Sequence, residues 1–373
     1  MLRNSKLFVG VVVCALILTG ISCRAQAGRL VQHGQLVLTL PDDCPHIPSV
    51  VVYEDGSNTL YVLNELENRI DAFNLGDRSC SSLKLAQKPN FKIDGFGKQG
   101  EKLFLYNYRS HLVYYYEKGT LVKQYDVRQE ENIGGKCTPV PYVQTLSPFK
   151  LFGDTLIMTG FRAGEASRRP DRPDLVLSLL DLKSGRIANA VEMPEVYGKY
   201  NWGGGFAYRF PCYELGPDGE VVCSFAASEE LASYSMKSGR VRHSDAPSRF
   251  FGQIEPYSKT DRKMPSAGAE ISFYRNSPSY DGILYDPWNE VYYRIALRPE
   301  REGRRGQNNR FRKPVSIIIL DKDLRPLGET PLSEDIYFRP YCSFVTSEGL
   351  YMQVLTGDEN HMTFYRYQYE KAQ

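Results

Sequence analysis

Short apolar segments and polar turns alternate along most of this chain in a pattern typical of β-strands. A strand pair recurs six times: a short apolar strand, a turn rich in Gly and Asp, then a second apolar or alternating strand. The first strand of each pair is predicted at residues 49–53, 91–93, 149–152, 211–215, 280–285 and 341–345. Repetition of one such unit over several tens of residues indicates a toroidal or solenoid array.

A second hairpin follows each strand pair, with turns such as Glu117-Lys118-Gly119 and Lys183-Ser184-Gly185. The sequence therefore predicts an all-β, six-bladed β-propeller with four-stranded antiparallel blades. The last blade is one strand short, and residues 35–40 can supply that strand and close the ring, which hides an aggregation-prone edge. The stretch 246–279 has no clear period and is predicted to be a long inter-blade loop that can include one helical turn.

The N-terminus resembles an export signal. Arg3 and Lys6 precede an apolar stretch at 7–20 that is too short for a typical membrane span. Two processing sites compete: a relaxed lipobox that ends at Cys23, which would be acylated, and an Ala25-Gln26-Ala27 motif cleaved after Ala27.

We favour the lipoprotein interpretation. It divides the chain into a signal peptide at 1–22, a short tether at 23–34 and the propeller at 35–373. The lipid on Cys23 would be its membrane contact, on the periplasmic side of the outer membrane. The alternative is a soluble periplasmic or secreted protein.

The charge balance argues against nucleic acid as a partner. The chain has 46 basic and 44 acidic residues, and removal of a leader that carries Arg3 and Lys6 makes the counts equal. A neutral chain lacks bulk attraction to nucleic acid or to an anionic membrane surface. We expect a monomer whose partner is an envelope protein, a peptide or a glycan.

Six of the eight cysteines lie beyond Cys23, and no C-x-x-C spacing predicts a metal site. No metal and no cofactor is expected. If residues 216–219 form the turn of a hairpin, Cys212 faces Cys223 at a separation that permits a disulfide. The alternative is a pair of buried free thiols that pack as small apolar side chains.

Candidate binding residues lie in loops and at the ends of strands. Two long loops, 160–174 and 297–313, are basic, and the inter-blade stretch 193–210 is rich in aromatic residues and glycine. Arginine can hold an anion bidentately, and aromatic faces can stack on a sugar or a peptide. The candidate ligand-binding residues are Arg162, Tyr200, Trp202, Arg209, Arg294, Arg304, Arg305, Arg310 and Arg339. Solvated loops, packed rings and structural ion pairs are the simpler explanations of the same residues.

Enzyme signatures are absent from the sequence. The five histidines are scattered, and neither a G-x-S-x-G elbow nor a P-loop occurs. Catalytic residues therefore stay unassigned. This favours a non-enzymatic protein only weakly, because propeller sites are assembled from distant loops.

The segment Asp286-Pro287-Trp288, followed by Tyr292-Tyr293-Arg294, is the most distinctive stretch. It resembles a blade motif of Gram-negative envelope lipoproteins that carry a TolB-like six-bladed propeller, a domain of unknown function. The stretch 222–225 is similar to the fourth blade of that family. The resemblance implies the fold and an envelope location, and it implies no catalytic residues.

Two functions are compatible with these observations. The preferred one is a binding or scaffolding module of the cell envelope; the alternative is an enzyme, a lyase or hydrolase, that acts on acidic polysaccharide. A deep pocket with converging Tyr, His, Arg and carboxylate side chains would favour the enzyme. A shallow or plugged channel would favour binding.

Overall fold

A computed structural model describes residues 28–130, 132–161, 174–203, 206–261, 263–300 and 313–371. Strand β1 (Gly28–Thr39) is the first element of the described chain. Blade 1 consists of β2 (Val51–Glu54), β3 (Thr59–Asn64), β4 (Arg69–Asn74) and β5 (Cys80–Ser82). Blade 2 consists of β6 (Gly95–Gln99), β7 (Lys102–Asn107), β8 (Leu112–Glu117) and β9 (Thr120–Asp126).

Three short strands precede blade 3: β10 (Asn132–Ile133), β11 (Lys136–Cys137) and β12 (Val140–Pro141). Blade 3 consists of β13 (Lys150–Phe152), β14 (Thr155–Phe161), β15 (Leu175–Asp181) and β16 (Ile187–Glu192). Blade 4 consists of β17 (Cys212–Leu215), β18 (Glu220–Ser224), β19 (Glu230–Ser235) and β20 (Val241–Asp245).

Blade 5 consists of β21 (Ser279–Asp286), β22 (Val291–Leu297), β23 (Val315–Asp321) and β24 (Pro326–Pro331). Blade 6 consists of β25 (Phe338–Thr346), β26 (Gly349–Val354), β27 (His361–Lys371) and, as its outer strand, β1. All the strand pairs of the blades are antiparallel. The predicted six-bladed, all-β propeller is confirmed.

The ring is closed by the N-terminal strand, as the strand count predicts. Strand β1 pairs with β27 from Gly28↔Lys371 to Thr39↔His361, so it begins before the predicted residue 35. Apolar side chains of blades 6 and 1, among them Leu38, Phe364 and Leu60, then form one continuous cluster. Each blade buries one face of its sheet against the next blade, and closure leaves no sheet without a neighbour.

The first strand of each blade begins at one face of the wheel, which we call the upper face. There the stretch before blade 5 differs from the prediction. Residues 267–276, within the segment predicted as a loop, form helix α3 (Ala267–Asn276). Ser266 caps this helix by accepting a hydrogen bond from the Ala269 N–H at 3.3 Å. Two one-turn helices, α1 (Val196–Lys199) and α2 (Phe206–Arg209), precede blade 4.

The register of β17 and β18 corrects the predicted cysteine pair. Cys212 lies opposite Ser224, and Cys223 lies opposite Tyr213, because Leu215 pairs with Val221 across a five-residue connection. A shift of one residue places the two side chains on opposite faces of the sheet. All six described cysteines are free thiols. Of the two alternatives, buried free thiols are observed, and burial raises the pKa of both thiols.

Candidate functional site

A cavity of about 410 Å³ lies at the upper mouth of the central channel. Helix α3 and residues in or next to five of the six blades, all but blade 2, contribute to its wall. Its lining includes Ser49, Gln144, Ala207, Phe210, Ala226, Glu270, Ile271, Tyr274, Tyr280, Asp281, Arg339 and Tyr341. The volume falls within the range of small-molecule sites in proteins.

Two lining residues lie at irregularities of their strands. In β21 the register shifts between Tyr280 and Ile283, which leaves Asp281 in a β-bulge. In β25 it shifts between Arg339 and Ser343, and Tyr341 lies in that irregular stretch. Bulges re-aim side chains, and they are common beside functional sites.

The bulge in β21 depends on a glycine. A Cβ atom on Gly282 would lie 2.4 Å from Cδ1 of Leu146, so a larger residue there would have to displace the Leu146 side chain, which belongs to the segment before blade 3. This close approach fixes the backbone that carries Asp281.

Burial perturbs the acid–base groups around Asp281. It raises the pKa of Asp281 to about 6, against the attraction of Lys313, and lowers the pKa of Lys313 to about 7. The Lys313 ammonium lies outside the cavity lining, where it donates to Ser279 Oγ at 2.8 Å and lies 4.1 Å from the ring centroid of Tyr274. Asp281 Oδ2 is buried and has no hydrogen-bond partner among the described residues.

Arg339 is half-buried and held by its neighbour on β26. Its Nη1 donates to Gln353 Oε1 at 3.4 Å, and Gln353 Nε2 in turn donates to the His46 carbonyl at 2.8 Å. Because Gln353 is itself buried and anchored, it restrains the guanidinium at the cavity wall. Within the described ranges no carboxylate forms an ion pair with Arg339.

Helix α3 forms one side of the cavity with Glu270, Ile271 and Tyr274. Burial raises the pKa of Glu270. The helix packs on α2 through Phe273, whose ring centroid lies 4.9 Å from that of Tyr208. The arrangement therefore brings one guanidinium, two carboxylates and several aromatic rings to one small volume.

The opposite mouth of the channel has a second cavity, of about 520 Å³, with a different character. Lys150 donates to Glu214 there, so its charge is already neutralised. Trp288, from the distinctive blade-5 motif, lies at its edge and is 42% exposed. Lys150 therefore belongs to a structural ion pair with a carboxylate of blade 4.

Comparison with known proteins shows the family of this chain. Residues 46–331 match the family model described as a domain of unknown function, DUF4221. The chain belongs to the DUF4221 family. No protein in the curated set matches it.

Solved structures support the same fold for this DUF4221 protein. A DUF4221 family member from Bacteroides vulgatus is 17% identical, has a TM-score of 0.76, and aligns over 93% of this chain and 99% of its own. Virginiamycin B lyase from Staphylococcus aureus is 12% identical over 91% of this chain and 99% of its own, but the TM-score is 0.42. That distant likeness says nothing of activity.

Arg294, predicted as a ligand contact or as the partner of a carboxylate, has neither role in this DUF4221 protein. Its side chain is fully buried, at 0% exposure, between blades 5 and 4. Its nitrogens donate to five oxygens of blade 4 or the segment that follows it: Ser224 Oγ and the carbonyls of Phe225, Ser228, Glu229 and Ala246. The guanidinium carbon lies 3.8 Å from the ring centroid of Tyr280. Arg294 therefore joins two blades and is out of reach of a ligand.

Three further predicted residues lie away from the cavity. Arg209, 4% exposed, pairs with Asp174 at 2.6 Å. Trp202 is buried, and its Nε1 donates to the Val196 carbonyl at 2.9 Å. Tyr200 is half-buried beside Trp202 at a separate cavity of about 320 Å³. Packing and structural pairing, the simpler alternatives, account for Arg209 and Trp202.

Several predictions fall outside the described residues. These are the acylation site Cys23 and the basic-loop residues Arg162, Arg304, Arg305 and Arg310. The described residues that flank the two loops, Phe161 with Asp174 and Glu300 with Lys313, lie at the upper face, as the strand order predicts.

Asp281, Tyr341, Tyr274, Glu270 and Gln144 are cavity residues that sequence reasoning missed. A usable signal existed for Asp281 and Tyr341, since both lie at the start of a predicted first strand, where side chains can face the channel. In the described ranges no three His, Cys, Asp or Glu side chains cluster as metal ligands do, and no helix there is long and apolar enough to cross a membrane.

Proposed function

We propose that this DUF4221 protein is an exported binding module of the cell envelope that holds a small polar molecule at the upper mouth of its propeller channel. The observation that carries the proposal is the cavity at the upper mouth, which Arg339, Asp281 and Glu270 line together with aromatic side chains. Convergent polar groups in a largely apolar concavity are the usual composition of a ligand site. At the opposite mouth, by contrast, Lys150 and Glu214 are already paired with each other.

A cavity-filling variant tests this function. Ala207 lines the cavity, so Ala207→Trp should block it, whereas Ala188→Trp places the same side chain on the exposed outer strand of blade 3. Each protein is incubated with a deproteinised envelope extract and examined by native mass spectrometry. We expect wild type and Ala188→Trp to retain a small molecule that Ala207→Trp does not retain. Equal retention by all three, or by none, would refute the proposal.

The location is part of the same proposal: acylation at Cys23 and attachment to the outer membrane on its periplasmic side. The register of blade 6 supports a definite orientation. Gly28, five positions after Cys23, pairs with Lys371 at the end of the blade away from Arg339. Since a chain advances at most about 3.6 Å per residue, a lipid at Cys23 would hold the lower face near the membrane and leave the cavity open to the periplasm.

Metabolic labelling with a clickable fatty acid tests the anchor. The label should appear on wild type and on Cys80→Ala and should be lost in Cys23→Ala, which would then fractionate with soluble periplasmic protein. Labelling that persists in Cys23→Ala would exclude this anchor and leave cleavage after Ala27 as the alternative.

A second candidate is an enzyme at the same cavity that acts on acidic polysaccharide. The cavity gathers Tyr, Arg and carboxylate side chains, as the sequence criterion for an enzyme requires, but no histidine is among its described lining residues. One further observation favours this candidate. The pKa of Asp281, about 6, and that of Lys313, about 7, are both close to neutrality, as is common for catalytic acids and bases. Incubation with polyuronides would test it, by ultraviolet absorbance of unsaturated products for a lyase and by new reducing ends for a hydrolase. Activity that Asp281→Asn abolishes would establish this candidate; no turnover by wild type would reject it.

A further inference from the structure

The charges on the cavity wall restrict the ligand. Arg339 supplies the positive charge of the wall, which we call the positive pole. Its Nη1 donates to Gln353 Oε1 at 3.4 Å, which uses one of the three guanidinium nitrogens. A guanidinium has five N–H donors in a planar fork, which matches a carboxylate bidentately. The anchored Gln353 restrains this fork before a ligand arrives, so less side-chain entropy is lost on binding.

The negative pole consists of Asp281, in the bulge of β21, and Glu270, on helix α3. Asp281 Oδ2 lacks a hydrogen-bond partner among the described residues, and burial raises the pKa of both carboxyl groups. A buried acid in this condition gains most from a cation brought close to it. Lys313 attracts Asp281 from behind the wall, but no ion pair joins the two within the described residues, and its ammonium is engaged by Ser279 and the Tyr274 ring.

The two poles line the same cavity, and Tyr341 lines it with them. Both charges act on the hydroxyl of Tyr341: after burial, which is the main cause of its raised pKa, Asp281 raises that pKa further and Arg339 lowers it. Tyr341 therefore lies within electrostatic range of both groups. The wall also includes Phe210, Tyr274 and Tyr280, which suit an apolar side chain of the ligand.

A simple anion fits this wall poorly, because two carboxyl groups stand against one guanidinium. A neutral sugar would leave the guanidinium without a counter-charge. Resting on the proposed function, we infer that the ligand is amphoteric: a free amino acid or a short peptide whose carboxylate binds Arg339 and whose ammonium group binds Asp281 and Glu270. A cavity of about 410 Å³ accommodates a molecule of this size.

Isothermal titration calorimetry with capped ligands tests each pole separately. The probes are a panel of free amino acids and alanyl dipeptides, the N-acetyl and C-terminal amide forms of the best binder, and D-galacturonic acid. We expect the best binder to lose at least about tenfold in affinity on either cap, which corresponds to about 1.4 kcal/mol. Galacturonic acid should bind more weakly than any capped form.

Matched variants locate the poles. Arg339→Gln should weaken the uncapped ligand about tenfold or more and should no longer distinguish it from its amide. The Asp281→Asn protein should bind the uncapped ligand and its N-acetyl form with equal affinity. Arg240→Gln, which changes an exposed arginine in a turn of blade 4, should leave all affinities unchanged.

The outcomes separate this inference from the function on which it rests. If no panel member binds but native mass spectrometry still finds a molecule that Ala207→Trp excludes, the ligand class is wrong and the binding function stands. Binding of galacturonic acid that depends on Arg339, without binding of the panel, would assign an acidic sugar instead. If no probe binds and no molecule is retained, both proposals fail.

Discussion

The interface between blades 4 and 5 and the upper mouth of the channel use the same side chain, arginine, in opposite ways. At the interface Arg294 is fully buried and donates to five oxygens of the blade 4 region. At the mouth Arg339 is half-buried and, among the described residues, forms one hydrogen bond, to Gln353 at 3.4 Å. The first arrangement satisfies a desolvated charge with backbone carbonyls; the second leaves donors for a ligand. An arginine near a propeller channel is thus informative only once its partners are known.

The largest expected effect comes from the interface. Arg294→Gln removes the charge and most of the donors, so several buried carbonyls of blade 4 lose their partner. We expect a loss of roughly 3–5 kcal/mol in the free energy of unfolding, because each buried acceptor left without a partner costs about 1–3 kcal/mol. Urea denaturation measures it, with the exposed Arg240→Gln as control. A loss below about 1 kcal/mol, the size of an average substitution, would contradict the structural role of Arg294.

The two perturbed groups near the mouth, Asp281 and Lys313, should give a pH-dependent effect. The pKa of Asp281 is raised from 3.8 to about 6, so between these pH values the folded state binds more protons than the unfolded chain, and stability falls as pH rises. The pKa of Lys313 is lowered from 10.5 to about 7, so above pH 7 the unfolded chain binds more protons, and stability rises with pH. The contribution of the pair is therefore least favourable between pH 6 and 7.

Urea denaturation from pH 4 to 10 tests both signs. Asp281→Asn should remove the fall on the acid side, and Lys313→Met the rise on the basic side. We expect the difference from wild type to reach about 3 kcal/mol for Asp281→Asn and about 5 kcal/mol for Lys313→Met across their windows, because one pKa unit corresponds to ~1.4 kcal/mol. Parallel curves for wild type and both variants would show that the cavity wall holds no perturbed pair.

Arg339→Gln should change stability least among the charged substitutions at these two regions. A half-buried cation with one long hydrogen bond contributes little, so we expect a change within about 0.5 kcal/mol, as for an exposed position. The same urea experiment, run beside Arg294→Gln, measures the contrast directly. A loss comparable to that of Arg294→Gln would make Arg339 a second structural residue and would undercut its role at the cavity.

The fold was predictable because strand and turn signals recur locally and their number alone implies closure by the N-terminal strand. The site was less predictable because it depends on features without a local signature. The bulge that aims Asp281 depends on the approach of Leu146 to Gly282, between residues far apart in sequence. Helix α3 has little amphipathic pattern, so the stretch at 246–279 was predicted as a loop. The partners of Arg294 are carbonyls, which no side-chain pattern can reveal.

Reduction of the blade 4 cysteines should change the free energy of unfolding least. These thiols also report on the β17–β18 register, which places the Ser224 hydroxyl where Arg294 binds it. The register that places Cys212 opposite Ser224 is the register in which the Ser224 hydroxyl accepts from Arg294 at 3.1 Å. With Cys223 on the other face of the sheet, no disulfide should form. We expect a reducing agent to change the free energy of unfolding by less than about 0.5 kcal/mol, whereas loss of a native disulfide typically costs about 2–5 kcal/mol. Peptide mapping without reduction provides the second measurement. A Cys212–Cys223 crosslink would require a shifted β17–β18 register and therefore a different support for the Arg294 contact.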